Sequence, residues 1–166
     1  MGVTDLGIGT NARQEADRHW MEAALKEAEL ALEEREVPVG AVVVLGDRVI
    51  GRGHNQVERL RDPTAHAEII AIGAAARSLG VPRLTGASIY TTMEPCPMCA
   101  GAIVHARLGR LVFGCADEKG GYCGSLGNIP DDPRLNHRVA ISSGVMETEC
   151  GALLSDFFAK LRAGNR

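Results

Sequence analysis

No stretch of this chain is apolar over the roughly 18 consecutive residues that a membrane span needs. Met1 to Arg13 carries Gly, Thr, Asn and Asp5, with no basic start leading into an apolar run, so no secretory signal is read there. Positive charge is not in excess either: 18 Lys and Arg face 21 Asp and Glu, a net charge of −3. Phosphate neutralisation needs Lys and Arg, so composition excludes a broadly basic nucleic-acid coat and leaves room only for a local patch. Arg107, Arg110, Lys119, Arg134, Arg138, Lys160 and Arg162 are candidates, and composition by itself reads them as solvated surface charges. Five cysteines make an odd set that does not describe a disulfide framework. Together with the missing signal, this points to a reducing, cytoplasmic setting. Internal repeats, low-complexity tracts and linkers are absent as well.

What remains is a soluble-type chain of 166 residues, long enough for one domain with a proper core. Residues 1–15 read as a disordered lead and 16–163 as a single domain. Ala16 to Glu36 has Trp20, Ala24, Ala28, Ala31 and Leu32 at helical spacing, and Pro38 ends that helix. Val39 to Leu45 reads as a buried strand, Gly46-Asp47 as a two-residue hairpin turn and Arg48 to His54 as the returning strand. Asn55 to Pro63 is a loop, and Thr64 is placed to cap a helix to Leu79, stopped by Gly80 and Pro82. Ala87 to Met93 and Leu111 to Cys115 are further strands, with a helix from Pro97 to Ala106 between them. Gly120 to Asn136 is irregular, Arg138 to Ser142 is a short edge strand and Glu147 to Leu161 a final helix. Strands alternating with helices predict an α/β fold with one mostly parallel sheet, opened by an antiparallel hairpin.

The chemistry lies in His66-Ala67-Glu68 and, thirty positions on, Pro95-Cys96-Pro97-Met98-Cys99. One imidazole and two thiols supply three zinc ligands, and a catalytic site leaves the fourth position to water. Cys96 and Cys99 are neighbours at i and i+3 on a helix, at its start, where free N–H groups and the helix dipole favour thiolate. His66 and Glu68 converge on one pocket only if they too open a helix, so two helix N-termini should face each other across the ion. Glu68 is the proton carrier for the water. A dithiol redox pair, or a structural zinc site closed by Cys115 or Cys123, would leave Glu68 beside His66 unexplained. H-x-E followed by P-C-x-x-C is a known signature of zinc-dependent nucleobase deaminases. His19, His54, His105 and His137 lack ligand spacing and read as structural or surface residues.

From about Trp20 to Phe158 the chain resembles the bacterial tRNA-specific adenosine deaminases. The matching segments are Arg35 to Val42, Asp62 to Glu68, Glu94-Pro95-Cys96, Met98 to Ala102, Gly109-Arg110, Gly124-Ser125-Leu126, Asn136 to Val139 and Leu153 to Phe158. The zinc motif is shared with cytidine, deoxycytidylate and guanine deaminases; the C-terminal segments point to RNA. The resemblance implies a three-layer α/β/α, cytidine deaminase-like fold with a five-stranded mixed sheet, one zinc per subunit and a homodimer. It implies deamination of the wobble adenosine of a tRNA anticodon stem-loop, in the arginine tRNA with an ACG anticodon. Carried over residue by residue, Asn55 holds the adenine, Asp117 the preceding nucleotide, Asn136 lies near the target nucleotide and Phe158 meets RNA. Backbone groups of Ala67 and Cys96 help hold the base or transition state. Leu108 to Phe113 serves either the dimer interface or an interior strand. Gly121-Tyr122-Cys123 and Asp131-Asp132 depart from the family pattern, and the added negative charge should weaken phosphate contacts.

Overall fold

The computed structural model describes residues 6–164, residues 6–8 by backbone only. A β-branched run makes strand β1, Gly40–Leu45, and Gly46, with φ of 63°, turns the chain directly into β2, Arg48–His54. β3, Ser88–Met93, β4, Arg110–Cys115, and β5, Ala140–Ser142, complete one sheet in the order β2-β1-β3-β4-β5. β1 runs antiparallel to β2 and β3, while β4 and β5 run parallel to β3. The sheet is therefore evenly mixed, as the resemblance implies, and less parallel than the strand–helix alternation suggested.

Strand side chains alternate between faces, and the alternation divides the core in two. Ala41, Val43, Ile89, Leu111 and Phe113 pack with α3, Ala67–Leu79, and α4, Pro97–His105. Val42, Val44, Tyr90 and Val112 pack with α1, Leu6–Glu33, and α5, Glu147–Gly164. Helices on both faces make three layers. β4 lies between β3 and β5 with Leu111 and Val112 fully buried, which settles the Leu108 to Phe113 region as an interior strand. Arg48 and Arg52 place charge on the β2 edge.

Two of the glycines let a helix sit flush on the sheet. A Cβ on Gly53 would stand 2.3 Å from the Ala67 carbonyl oxygen, and one on Gly51 would stand 2.3 Å from that of Ala71. The facing side of α3 is correspondingly small, with Ala67, Ala71 and Ala75 all buried.

Four expectations need correction. Residues 6–15, read as lead, form the first turns of α1; Gly7 and Gly9 weaken a helix by about 1 kcal/mol each without forbidding it. Residues 1–5 lie outside the described ones. At its other end α1 stops at Glu33, because Arg35 takes a left-handed conformation (φ 61°) that turns Glu36 inward. Thr64 does not cap α3: Asp62 accepts its hydroxyl at 2.7 Å and its N–H at 2.8 Å, so the helix opens at Ala67 with His66 as the cap residue. The loop after Asn55 also contains a single turn of helix, α2, Val57–Leu60.

Candidate active site

α3 and α4 both begin at the C-terminal ends of strands or of the loops that follow them, and the two N-termini meet. His66 carries no side-chain cap hydrogen bond, and Cys96, the cap residue of α4 ahead of Pro97, carries none either, so both side chains are available. His66 Nδ1 stands 3.6 Å from Cys96 Sγ and 3.6 Å from Cys99 Sγ. A zinc ion with Zn–N of about 2.0–2.1 Å and Zn–S of about 2.3 Å in tetrahedral geometry requires an N···S separation of about 3.6 Å. The donor set therefore fits the ion in chemistry and in spacing. Among the described residues, these three form the group able to hold a metal. Cys115 and Cys123 are occupied elsewhere, their thiols turned to the carbonyls of Thr92 and Pro95, which removes the structural-site alternative that needed one of them.

Electrostatics divide the two thiols. The hydrogen bond with Cys99 holds Cys96 down to about 4, aided by His66, and the same bond together with burial pushes Cys99 far up. A coordinated cation reverses the Cys99 shift, since a coordinating thiol is deprotonated. His66 is raised, chiefly by its hydrogen bond with Cys96. Glu68, 4% exposed, is raised by burial, the ordinary behaviour of a carboxyl taken out of water.

The site opens into a cavity of about 510 Å³ lined by Asn55, His66, Ala67, Glu68, Cys96 and Asp117 among others. The fold thus brings together seven of the nine residues singled out from sequence, Cys99 being joined through the donor group. Asn136 and Phe158 are not on the cavity wall. Asn136 Oδ1 accepts the Arg107 guanidinium at 2.7 Å, and Phe158 is 41% exposed. Its neighbour Phe157 takes the wall position, with the two rings edge to face at 5.3 Å between centroids. Helical spacing from Cys150 and Leu154 through Phe157 to Leu161 is the signal that marks Phe157 as inward-facing.

Sequence reasoning missed two buried carboxylates on the wall, Glu36 and Glu94. Glu36 accepts the backbone N–H groups of Glu58 at 3.2 Å and Arg59 at 2.7 Å, fastening α2 over the site. Glu94 holds the loop that carries Asp117. Burial alone would raise the Glu94 carboxyl, but hydrogen bonds from Ser125, Asp117 and Cys123 keep it lowered. His54, read as structural, bridges Glu27 at 3.5 Å and Glu34 at 3.0 Å away from the cavity wall.

Residues 15–162 match the family model of the MafB19-like deaminases. The chain is 49% identical over 146 residues to the tRNA-specific adenosine deaminase of Bacillus subtilis, spanning 88% of this chain and 91% of that one. A solved structure from biochemical and structural studies of A-to-I editing by tRNA:A34 deaminases at the wobble position superposes with a TM-score of 0.79 at 48% identity, covering 82% of this chain and 99% of the other. A guanine deaminase from Nitrosomonas europaea shares the fold at 23% identity, with a TM-score of 0.76 over 86% of this chain and 84% of that one.

Proposed function

The chain belongs to the deaminase family and within it to the tRNA-specific adenosine deaminases, and on that premise we propose that it converts the wobble adenosine of a tRNA anticodon to inosine, releasing ammonia. The preferred substrate is the arginine tRNA with an ACG anticodon. The observation that carries the reading is the three-donor cluster at 3.6 Å spacing with Glu68 buried on the same cavity wall. The enzyme works as one domain that includes residues 6–15 as the first turns of α1, with one zinc per subunit, as a homodimer and in the cytoplasm. No helix among the described residues is long and apolar enough to cross a membrane.

His66, Cys96 and Cys99 hold the zinc, which when bound makes water nucleophilic near neutral pH. Glu68 accepts a proton from the water that attacks adenine C6 and delivers it to N1. It then carries the proton of the new C6 hydroxyl to the departing amine, so that adenosine and water give inosine and ammonia. Asn55 holds the purine edge, the Ala67 backbone the reacting centre, and Asp117 the preceding nucleotide. Phe157 supplies the apolar surface beside the base, while Phe158 and Asn136 meet RNA farther out. Flipping a base into the cavity costs least where it is already unpaired, as in an anticodon loop.

The test is incubation of the purified protein with an ACG-anticodon stem-loop, free guanine and cytidine. Inosine in the RNA alone is expected, and turnover of the free compounds instead would overturn the substrate. Glu68→Ala is expected to keep its zinc and lose activity by about 10²–10⁴-fold, the usual contribution of a positioned acid–base group. Loss of zinc in that variant would make Glu68 a ligand and sink its assigned role.

A further inference from the structure

Glu94 is 3% exposed, on the last turn of chain between β3 and the Cys96 ligand, and its carboxylate is saturated with donors from a single loop. Oε1 accepts the backbone N–H groups of Cys123 at 3.0 Å and Ser125 at 2.9 Å. Oε2 accepts the N–H of Asp117 at 2.9 Å and the Ser125 hydroxyl at 2.5 Å. Backbone bonds reinforce the closure: Tyr122 N–H reaches the Pro95 carbonyl at 2.9 Å, and Gly121 N–H that of Asp117 at 2.8 Å.

The loop is cut to receive this carboxylate. A Cβ on Gly121 would lie 2.3 Å from the Glu94 carboxyl carbon and within 2.6 Å of both its oxygens. The departure Gly121-Tyr122-Cys123 therefore places a glycine where the carboxylate occupies side-chain space. Glu94 also lines two cavities, the 510 Å³ site and a 270 Å³ cleft whose wall includes Cys123, Gly124 and Ser125.

We propose that Glu94 is a positioning residue: its carboxylate clasps the 117–125 loop to the segment that delivers Cys96, and so fixes the wall on which Asp117 meets RNA. The inference rests on the function proposed above for Asp117 and the cavity. Asp117 cannot hold its place through its own carboxylate alone, because Oδ1 is already engaged within the loop by Lys119 N–H at 3.1 Å and Gly120 N–H at 3.0 Å. Those bonds shape the loop, and Glu94 docks it.

Glu94→Gln tests this. One carboxylate oxygen becomes an NH₂ group facing N–H donors, so about half of the clasp is lost while volume is kept. Zinc content should stay at one per chain and kcat within about threefold. KM for the stem-loop should rise about tenfold, the scale of one lost charge-assisted hydrogen bond, because the loop serves RNA binding and not the reacting centre. Amide exchange of Asp117, Cys123 and Ser125 should accelerate. Gly121→Ala, which drives a Cβ against the unsubstituted Glu94 carboxylate, should produce the same KM increase and the same exchange, and Ser125→Ala, at an exposed position, a smaller one. An unchanged KM in all three variants, or exchange confined to residues outside the loop, would overturn the proposal. So would a fall in kcat that merely tracks zinc loss. Wild-type protein inactive on the stem-loop would defeat the functional reading, and the exchange data would still decide the clasp.

Discussion

Asp17 in α1 and Arg110 at the start of β4, 93 positions apart, close a two-pronged ion pair, with Nη1–Oδ1 at 2.5 Å and Nη2–Oδ2 at 2.7 Å. Tyr90 donates to the same carboxylate at 2.9 Å, and Arg110 reaches on to the Ser142 hydroxyl at 2.8 Å. One buried network thus pins α1 to β3, β4 and β5. Burial raises the Asp17 carboxyl, and the bonds from Arg110 and Tyr90 outweigh it, leaving the group lowered from its ordinary 3.8. Tyr90, desolvated and bonded to a carboxylate, rises to about 12.

Asp17→Asn should destabilise the protein by about 3–5 kcal/mol, the penalty for orphaning one partner of a buried pair. A depressed carboxyl stabilises above its unfolded value and loses that contribution as pH falls through the native one. The gap in melting temperature between wild type and variant should accordingly be full at pH 7 and shrink below about pH 4. Tyr90 acts at the other limb. Its contribution is complete below pH 10 and is lost as pH rises toward about 12, a limb that Tyr90→Phe should flatten. Thermal melts across pH check both, and a gap that stays constant from pH 3 to 7 would refute the acid limb.

Thiol chemistry should report on metal occupancy. Cys96 is held down to about 4, whereas burial raises Cys115 to about 11, Cys150 to about 12 and Cys123 beyond the usual thiol range. Zinc-loaded protein should react slowly with a thiol reagent at pH 7. Chelation should expose Cys96 as the first residue alkylated, with Cys115, Cys123 and Cys150 inert until unfolding. Peptide mapping after a short iodoacetamide pulse identifies the modified residue.

Arg134 and Arg138 are already spoken for. Asp132 Oδ2 accepts Arg134 Nη2 at 2.6 Å, and Asp131 Oδ1 accepts Arg138 Nη2 at 2.6 Å. The Asp131-Asp132 departure thereby supplies the counter-ions of two arginines that would otherwise be free for phosphate. Asp131→Asn with Asp132→Asn should tighten stem-loop binding. It should also steepen the dependence of log K on log salt, by up to about 0.7 per arginine released onto a single strand. Titrations at several salt concentrations give the slope, and an unchanged slope would place both arginines outside the RNA footprint.

Gly53→Ala should damage the site from across the sheet. The added Cβ meets backbone, the Ala67 carbonyl oxygen at 2.3 Å and the Ala71 nitrogen at 2.6 Å, so no rotamer relieves it. Overpacking of this kind costs about 1–3 kcal/mol. Because α3 must lift at the end that carries His66, the variant should also lose zinc to a competing chelator faster than wild type. A variant with a lowered melting temperature and normal zinc retention would separate the two effects.

The meeting of His66, Cys96 and Cys99, with Glu68 on the same cavity wall, was legible in the sequence because the chemistry expected of them dictates both residue types and spacing. The sheet was legible because β1 and β4 are continuous apolar runs with clear turns. Glu36 and Glu94 were not: in a sequence a glutamate reads as solvated charge, and only tertiary structure brings backbone N–H groups to it. The start of α1 was hidden by glycines at 7 and 9, whose weak propensity is overridden by continuation from the strongly periodic segment. Phe157 and Phe158 differ by one position, about 100° around a helix, so a motif match picks the pair while packing picks the member.

His66 rides on α3, seated through Gly53 on β2, while Cys96 and Cys99 follow β3; β1 alone joins those two strands. The two halves of the donor set are therefore indexed to each other by hydrogen-bond register. A slip of one residue moves a strand by about 3.3 Å and inverts its side chains, nearly the whole 3.6 Å between Nδ1 and the sulfurs. Ion binding at this donor set would therefore depend on strand pairing: a misregistered hairpin would present scattered donors, and a bound ion would stabilise only chains that have aligned correctly.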